Sequence, residues 1–207
     1  PAQSVRFLFS NPSFLLILLY FTIPSLPGWA VKNWLPTLFS ETLGIDMATA
    51  GPMATITTSG SSLFGVVVGG YLSDRWVQKN IRGRIYTGAI GLGLTIPALV
   101  FLGFGTDLWQ ILAGAACFGI GFGLFDTNNM PILCQFVSVR NRAAGYGLMN
   151  LTGLLSGALV TDLLGKFSAA GNLGSSFAAL ALIVLLVLVI QLYYLRPQTI
   201  DYVDKDL

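Results

Sequence analysis

Long apolar segments separated by short polar stretches make up most of the chain. A helix needs about 20 apolar residues to cross the hydrocarbon core of a bilayer. The pattern therefore predicts six membrane-spanning helices, at residues 14–39, 47–72, 85–105, 108–137, 143–164 and 173–195. The connections are too short to fold on their own, so we predict one six-helix transmembrane domain over residues 1–207 with a polar tail at 196–207.

The composition agrees with a protein that is integral to a membrane. Hydrophobic residues make up 54% of the sequence and charged residues only 10%, whereas soluble domains are about a quarter charged. The absence of histidine removes histidine-based proton relays, nucleophile activation and most zinc sites. We therefore expect no catalytic residue, no metal, no cofactor and no enzymatic activity. The net charge of +2 comes from cations in the connections, so nothing indicates a nucleic-acid partner.

The positions of Lys and Arg predict the orientation of the helices. Six helices place both termini on one side of the membrane, and that side collects nearly all the cations: Arg6, Arg75, Lys79, Arg82, Arg84, Arg140, Arg142, Arg196 and Lys205. The other side carries Lys166 and the acids Glu41, Asp46 and Asp107. Because cytoplasmic loops are enriched in Lys and Arg, we expect cytoplasmic termini and a plasma (cytoplasmic or inner) membrane location.

Two charged residues interrupt the apolar segments. A charge at the centre of a bilayer costs roughly 2.5–3.5 kcal/mol, so Lys32 in the first span and Asp126 in the fourth need a reason. Each follows Gly or Pro, precedes Asn (Asn33; Asn128 and Asn129), and is then followed by Pro. These matching stretches begin the two halves of a three-plus-three inverted repeat, and such interruptions point to the binding site of a transporter.

This placement predicts roles for the interrupting residues. We expect Lys32, Asn33, Asn128 and Asn129 to bind a substrate and Asp126 to carry a coupling proton, because no histidine is available for that role. Two alternatives stay open. Lys32 could instead extend to the outer membrane interface, and Asp126 could form a buried structural pair or cap a broken helix.

Small and hydroxyl-bearing residues indicate how the helices pack. Pairs of glycines four residues apart, as at 65 and 69, 119 and 123, and 153 and 157, let the backbones of neighbouring helices approach closely. The second span also carries a group of hydroxyls, Thr55, Thr57, Thr58, Ser59, Ser61 and Ser62. Such side chains can bond to carbonyls of their own helix, and this is our interpretation of the group.

The polar stretch at residues 69–84 resembles the signature loop of the major facilitator superfamily, roughly Gly-x-Leu-x-Asp-Arg-x-Gly followed by basic residues. Gly70, Leu72, Asp74 and Arg75 match in register, whereas Trp76-Val77 departs from the pattern. The basic residues come late, at Lys79, Arg82 and Arg84. Residues 9–15 resemble the entry to the seventh helix of such proteins. Residues 34–37 resemble the outer end of that helix in organic-anion and sugar-acid carriers.

The resemblance implies the carboxy-terminal half of such a transporter, helices seven to twelve, and the absence of an initiator Met also favours a fragment. It implies a cavity lined by the first helix of each repeat, those of Lys32 and Asp126. It also implies that Asp74 faces the start of the fifth span near Arg142, and that the signature region closes the cytoplasmic side through Gly70, Asp74, Arg75, Arg82, Arg84 and Arg142.

The expected function is secondary transport of a small polar organic solute by alternating access with symport of a proton, or of sodium. The resemblance and Lys32 favour an anion such as a sugar acid. The expected partners are this substrate, the coupling ion, the lipid bilayer and the amino-terminal six-helix half. The alternatives are a transporter of neutral sugars or drug-like solutes, and a self-sufficient six-helix homodimeric carrier or channel. Residues 60–63, Gly-Ser-Ser-Leu, lack the Gly-x-Ser-Gly of intramembrane serine proteases.

Overall fold

A computed structural model describes residues 8–197 and residue 199. Arg6, Lys205 and most of the predicted tail lie outside these residues. Within them the chain is helical and has no β-strand, which confirms the all-α class. The main helices are α1 (Pro12–Leu43), α2 (Met47–Lys79), α3 (Gly83–Phe104), α4 (Leu108–Asp126), α5 (Asn129–Phe136), α6 (Val139–Ala169) and α7 (Leu173–Tyr194).

Local sequence explains where α1 begins and ends. The Asn11 side chain accepts a hydrogen bond from the Ser13 backbone N–H at 3.0 Å, which satisfies one of the donors left free at a helix start. Pro12 occupies the first turn, where its missing N–H costs nothing. The helix ends at Gly44, whose φ of 64° suits glycine.

Two differences between the helices and the apolar segments change the interpretation of the sequence. α2 continues to Lys79, well past residue 72, so Asp74 and Arg75 lie on a helix and the polar connection is only residues 80–82. The fourth span is divided, because α4 ends at Asp126 and α5 begins at Asn129. Pro131 has no N–H to donate to the carbonyl four residues earlier, which explains a break at this point.

Five apolar segments of the described chain are long and apolar enough to cross a membrane: α1, α3, α4 together with α5, α6 and α7. The helix α2 is 33 residues long, but it is not among them. Its hydroxyls and glycines lower its hydropathy.

The packing of the helices has the symmetry of an inverted repeat. The helix α2 packs mainly against α4, and α6 packs mainly against α1. α3 packs against both α7 and α4, and α7 packs against both α3 and α1. If the first three spans are exchanged with the last three, the pair α2–α4 becomes the pair α6–α1, and the pair α3–α4 becomes the pair α7–α1. The pair α3–α7 is unchanged.

The two equivalent helix pairs use different contacts. At the pair α2–α4, Gly65 faces the carbonyl of Ile120, and Gly119 faces the Thr58 carbonyl. At the pair α1–α6, side chains form hydrogen bonds along the helices, including Thr22 to Thr152 at 2.8 Å. There Gly157 lies against the Trp29 ring. The glycines therefore serve packing, as predicted, but only the first pair brings the backbones together.

Candidate functional site

Two adjoining cavities open on the face of the bundle where α1 approaches α4. The larger has a volume of about 630 Å³ and lies among α1, α2 and α4. The smaller, about 280 Å³, lies among α1, α4 and α6. Gly28, Lys32 and Phe122 border both cavities. A Cβ on residue 28 would lie 2.6 Å from the Phe122 ring, so glycine at this position allows the ring to sit between the cavities.

Lys32 is exposed on α1 and faces this open region. Its ammonium nitrogen lies 4.7 Å from the centroid of the Trp29 ring, a cation–π contact of the kind that stabilises a cation in an aromatic setting. Within the described part of the chain, no carboxylate lies within salt-bridge distance of this ammonium. The ammonium therefore lies at the cavity wall beside an aromatic ring.

The neighbouring Asn33 holds two helices together. Its side-chain amide donates to the Thr161 hydroxyl at 2.9 Å, and the Trp34 indole N–H donates to the Thr161 carbonyl at 3.1 Å. These bonds connect α1 to α6 one residue away from Lys32. Asn33 therefore positions the helix that carries Lys32, and it is not among the residues that border the two cavities.

Asp126 is the last residue of α4 and borders the smaller cavity. Its Oδ1 accepts a hydrogen bond from the Asn129 amide at 3.0 Å. This bond crosses the break between α4 and α5. Because Asn129 is buried, the bond holds one oxygen of the carboxylate on the protein side. The side chain of Asp126 is exposed to the cavity side, which leaves its second oxygen accessible to a solute or an ion.

Asn128 is buried as well, and its amide donates to the Leu124 carbonyl at 2.8 Å. This bond satisfies a carbonyl near the end of α4. Asn128 and Asn129 thus stabilise the helix break, and neither borders the cavities. Of the four residues predicted to bind substrate, the structure places only Lys32 at the cavity wall.

Three hydroxyls that border the cavity do not fit the interpretation that this group bonds to its own helix. Thr55, Ser59 and Ser62 border the larger cavity, and their spacing of four and three residues puts them on one face of α2. Thr58 borders the same cavity, but its hydroxyl donates to the Ala54 carbonyl at 2.7 Å, and Ser61 donates to the Thr57 carbonyl at 2.7 Å. The back-bonding interpretation therefore holds for Thr58 and Ser61. Helical periodicity places Thr58 on the same face as the other three, so the sequence offers no signal that separates the free hydroxyls from the bonded one.

Aromatic side chains form another part of the wall. Phe118 and Phe122 of α4 both border the larger cavity. Their ring centroids are 5.7 Å apart and their planes differ by 13°, which makes a stacked pair. Four-residue spacing on a helix predicts such a pair. It was missed because the glycines around it indicated a packing face.

The acidic residue of the signature region is accessible. Asp74 is exposed on α2, and within the described residues it forms no hydrogen bond or ion pair. α2 packs against α1, α3 and α4 and has no substantial contact with α6. The predicted approach of Asp74 to the start of the fifth span near Arg142 is therefore not made inside this bundle. Gly70 has open space where a Cβ would stand.

Arginines of the same region bind backbone carbonyls of neighbouring elements. The Arg142 guanidinium donates to the Val137 and Cys134 carbonyls at 3.1 and 3.3 Å. Arg84 donates to the Pro131 carbonyl at 3.5 Å, and Arg82 donates to the Leu192 carbonyl. Arg75 lies over the Tyr71 ring at 5.0 Å. Arg142 therefore lies at the end of α5, where the negative end of the helix dipole favours a cation.

Comparisons with known proteins agree with this architecture. Residues 17–205 match the sequence model of the Major Facilitator Superfamily. The chain is similar to the uncharacterized transporter YybO of Bacillus subtilis (strain 168), with 26% identity over 170 residues, 79% of this chain and 38% of that protein. It is also similar to the multidrug resistance protein MdtG of Rahnella sp. (strain Y9602), with 30% identity over 184 residues, 86% of this chain and 42% of that protein.

A solved structure shares the fold. It is a POT family transporter in complex with a thioalcohol conjugated peptide, with a TM-score of 0.75 and 19% identity over 92% of this chain and 39% of that chain. The chain spans less than half the length of the curated relatives it matches. The family match itself covers nearly the whole sequence. The chain therefore belongs to the Major Facilitator Superfamily.

Proposed function

We propose that this chain is the carboxy-terminal half of a secondary active transporter that moves a small polar organic solute by alternating access with proton symport. An anionic solute is preferred. The observation that carries the proposal is that Lys32 and Asp126 border one cavity from α1 and α4, the equivalent helices of the two repeats. Opposite charges at one cavity suit two cargoes of opposite sign, an anion and a proton.

Lys32 supports the preference for an anion. The ammonium faces open space and is positioned by Trp29 and, through its neighbour Asn33, by α6. Because no carboxylate of the described chain forms an ion pair with it, the ammonium is available to a solute carboxylate or phosphate. A hydrogen bond to a charged group contributes about 1.5–3 kcal/mol.

Asp126 supports coupling to a proton, with sodium as the alternative ion. It lies at the helix break, where a backbone free of regular helix hydrogen bonds can share in binding an ion. Asn129 holds one of its oxygens, so the carboxylate keeps a fixed position whether or not it carries a proton. The sequence has no histidine to take this role.

The signature region supports a gating role on the cytoplasmic side. Arg82, Arg84 and Arg142 bind carbonyls of neighbouring elements and so fix the ends of the helices. The exposed Asp74 and Arg75 are available to groups outside this bundle, and the amino-terminal half is the partner we propose for them.

An uptake screen with the complete transporter in proteoliposomes tests the proposal. Gluconate, glucose 6-phosphate, glucose and a lipophilic cation should be offered with and without an imposed proton gradient. We expect accumulation of an anion that depends on the gradient. Uptake that is equal with and without the gradient would contradict symport, and exclusive uptake of uncharged or cationic solutes would contradict an anionic substrate.

A second candidate is export of drug-like solutes. The relative MdtG is named a multidrug resistance protein, and the larger cavity has aromatic and aliphatic walls at Phe118, Phe122 and Leu35. In that case Lys32→Gln should leave transport of a lipophilic cation unchanged or improved, because the ammonium repels it.

A further inference from the structure

We infer that the larger cavity binds an organic anion with a flat apolar body, an aryl carboxylate, in preference to a polyhydroxylated sugar acid. This inference rests on the proposed function and narrows its substrate class. It comes from the different chemistry of three walls that α1, α2 and α4 bring around one cavity of about 630 Å³.

The wall from α1 supplies the site for the carboxylate. Lys32 is its charged group, and the other bordering residues of this helix, which include Val31 and Leu35, are apolar. A single compact ammonium binds one carboxylate well. It leaves the additional hydroxyls of a sugar acid without partners on this wall.

The wall from α4 supplies the surface for the ring. Phe122 is half-buried and borders the cavity, and the buried Phe118 stacks against it with the ring planes 13° apart, so Phe122 presents the aromatic surface and Phe118 supports it. Aromatic groups prefer offset stacking or edge contacts with such a surface. A polyhydroxylated chain placed there would lose its hydrogen bonds to water and gain none in return.

The wall from α2 supplies a narrow row of hydrogen-bonding groups. Thr55, Ser59 and Ser62 lie on one helix face and border the cavity, and within the described residues their hydroxyls form no hydrogen bond with the protein. Leu63 and Val66 of the same helix border the cavity beside them. A row this narrow suits one or two polar substituents on a ring better than hydroxyls on every carbon.

The test is equilibrium binding to the purified full-length transporter in detergent, measured by calorimetry. The probes are 4-hydroxybenzoate, benzoate, gluconate and benzyl alcohol. We expect 4-hydroxybenzoate and benzoate to bind at least about tenfold more tightly than gluconate and benzyl alcohol, the difference that one charge-assisted bond or one well-packed ring makes. Gluconate that binds as tightly as benzoate would overturn the inference, as would no binding of either aryl acid.

Single substitutions assign the three walls. Lys32→Gln should weaken both aryl acids about tenfold or more, and Phe122→Leu should remove their advantage over gluconate. Ser59→Ala should reduce the preference for 4-hydroxybenzoate over benzoate. The control is Ser61→Ala, whose hydroxyl bonds to its own helix and should change none of the affinities. Equal effects of Ser59→Ala and Ser61→Ala would overturn the role of the hydroxyl row.

The binding assay and the uptake screen separate the two proposals. If gluconate binds and accumulates with a proton gradient while aryl acids do not bind, the substrate class is wrong and the transport function stands. If no anion accumulates under any gradient, the proposed function itself fails. Thermal unfolding of each variant distinguishes loss of binding from loss of structure.

Discussion

The close contact between α3 and α4 gives a stability prediction with a matched control on the same helix. A Cβ on residue 91 would lie 2.7 Å from the Phe125 backbone nitrogen and 2.9 Å from Leu124 Cβ. Two residues further along α3, a Cβ on residue 93 would lie 4.0 Å from Leu188 Cδ2, which is ordinary contact. Backbone atoms of α4 therefore obstruct the first substitution and leave the second unobstructed.

The two substitutions isolate the packing contribution. Gly91→Ala and Gly93→Ala gain about the same intrinsic helix stability, roughly 1 kcal/mol, so this gain cancels when the variants are compared. Overfilling a closely packed interface costs roughly 1–3 kcal/mol. At about 2–4 °C per kcal/mol for 150–250 residues, Gly91→Ala should unfold about 2–12 °C below Gly93→Ala.

Thermal unfolding of the purified protein in detergent, followed by tryptophan fluorescence, measures this difference. Both variants should be compared with the parent protein at the same detergent and lipid concentration. Equal midpoints, or a lower midpoint for Gly93→Ala, would show that α3 and α4 do not meet at Gly91 and would refute the packing described here.

Four further predictions concern the site and the orientation. Lys32→Gln should weaken binding of an anionic substrate about ten- to hundredfold. Lys32→Arg should keep only part of the affinity, because a planar guanidinium does not replace a compact ammonium. Unchanged affinity in both variants would favour the alternative that Lys32 extends to the outer membrane interface. Asp126→Asn should abolish proton-driven accumulation and spare counterflow exchange, and accumulation with an unchanged pH dependence would make Asp126 structural. Asp74→Asn should lower the transport rate at normal expression, because it removes the exposed charge that we propose contacts the amino-terminal half; wild-type rates at all substrate concentrations would exclude the gating role. Thiol labelling from outside intact cells should modify Thr42→Cys and spare Gln78→Cys, and the reverse pattern would contradict the predicted orientation.

The general architecture could be predicted from the sequence because the physical constraint is strong. Backbone groups in a long apolar segment that crosses lipid must bond within their own helix, so the all-α class follows. The family was identified from the signature residues at Gly70, Leu72, Asp74 and Arg75. The ends of the helices were harder to predict from the sequence. Nothing in the hydropathy pattern extends α2 to Lys79, because exposed polar residues continue a helix without an apolar signal.

The candidate site was predicted in part. Lys32 and Asp126 were found because a charge in an apolar segment is conspicuous, and both border a cavity. Asn33 and Asn128 were placed with them by proximity in sequence, yet their amides bond to Thr161 and Leu124. One-residue steps on a helix rotate a side chain by about 100°, so neighbours of a site residue usually face elsewhere.

The low apolarity of α2 has a consequence for how the protein is made. A segment enters the bilayer from the translocon according to its own hydrophobicity. Among the long helices of the described chain, α2 is the one that is not apolar enough to be counted as a membrane span. Its surface of glycines and hydroxyls matches α4, which is synthesised only after α3 has left the ribosome. We therefore expect stable insertion of α2 to occur late, once α4 has emerged, so that a nascent chain arrested after Gly105 would expose α2 to quality-control proteases.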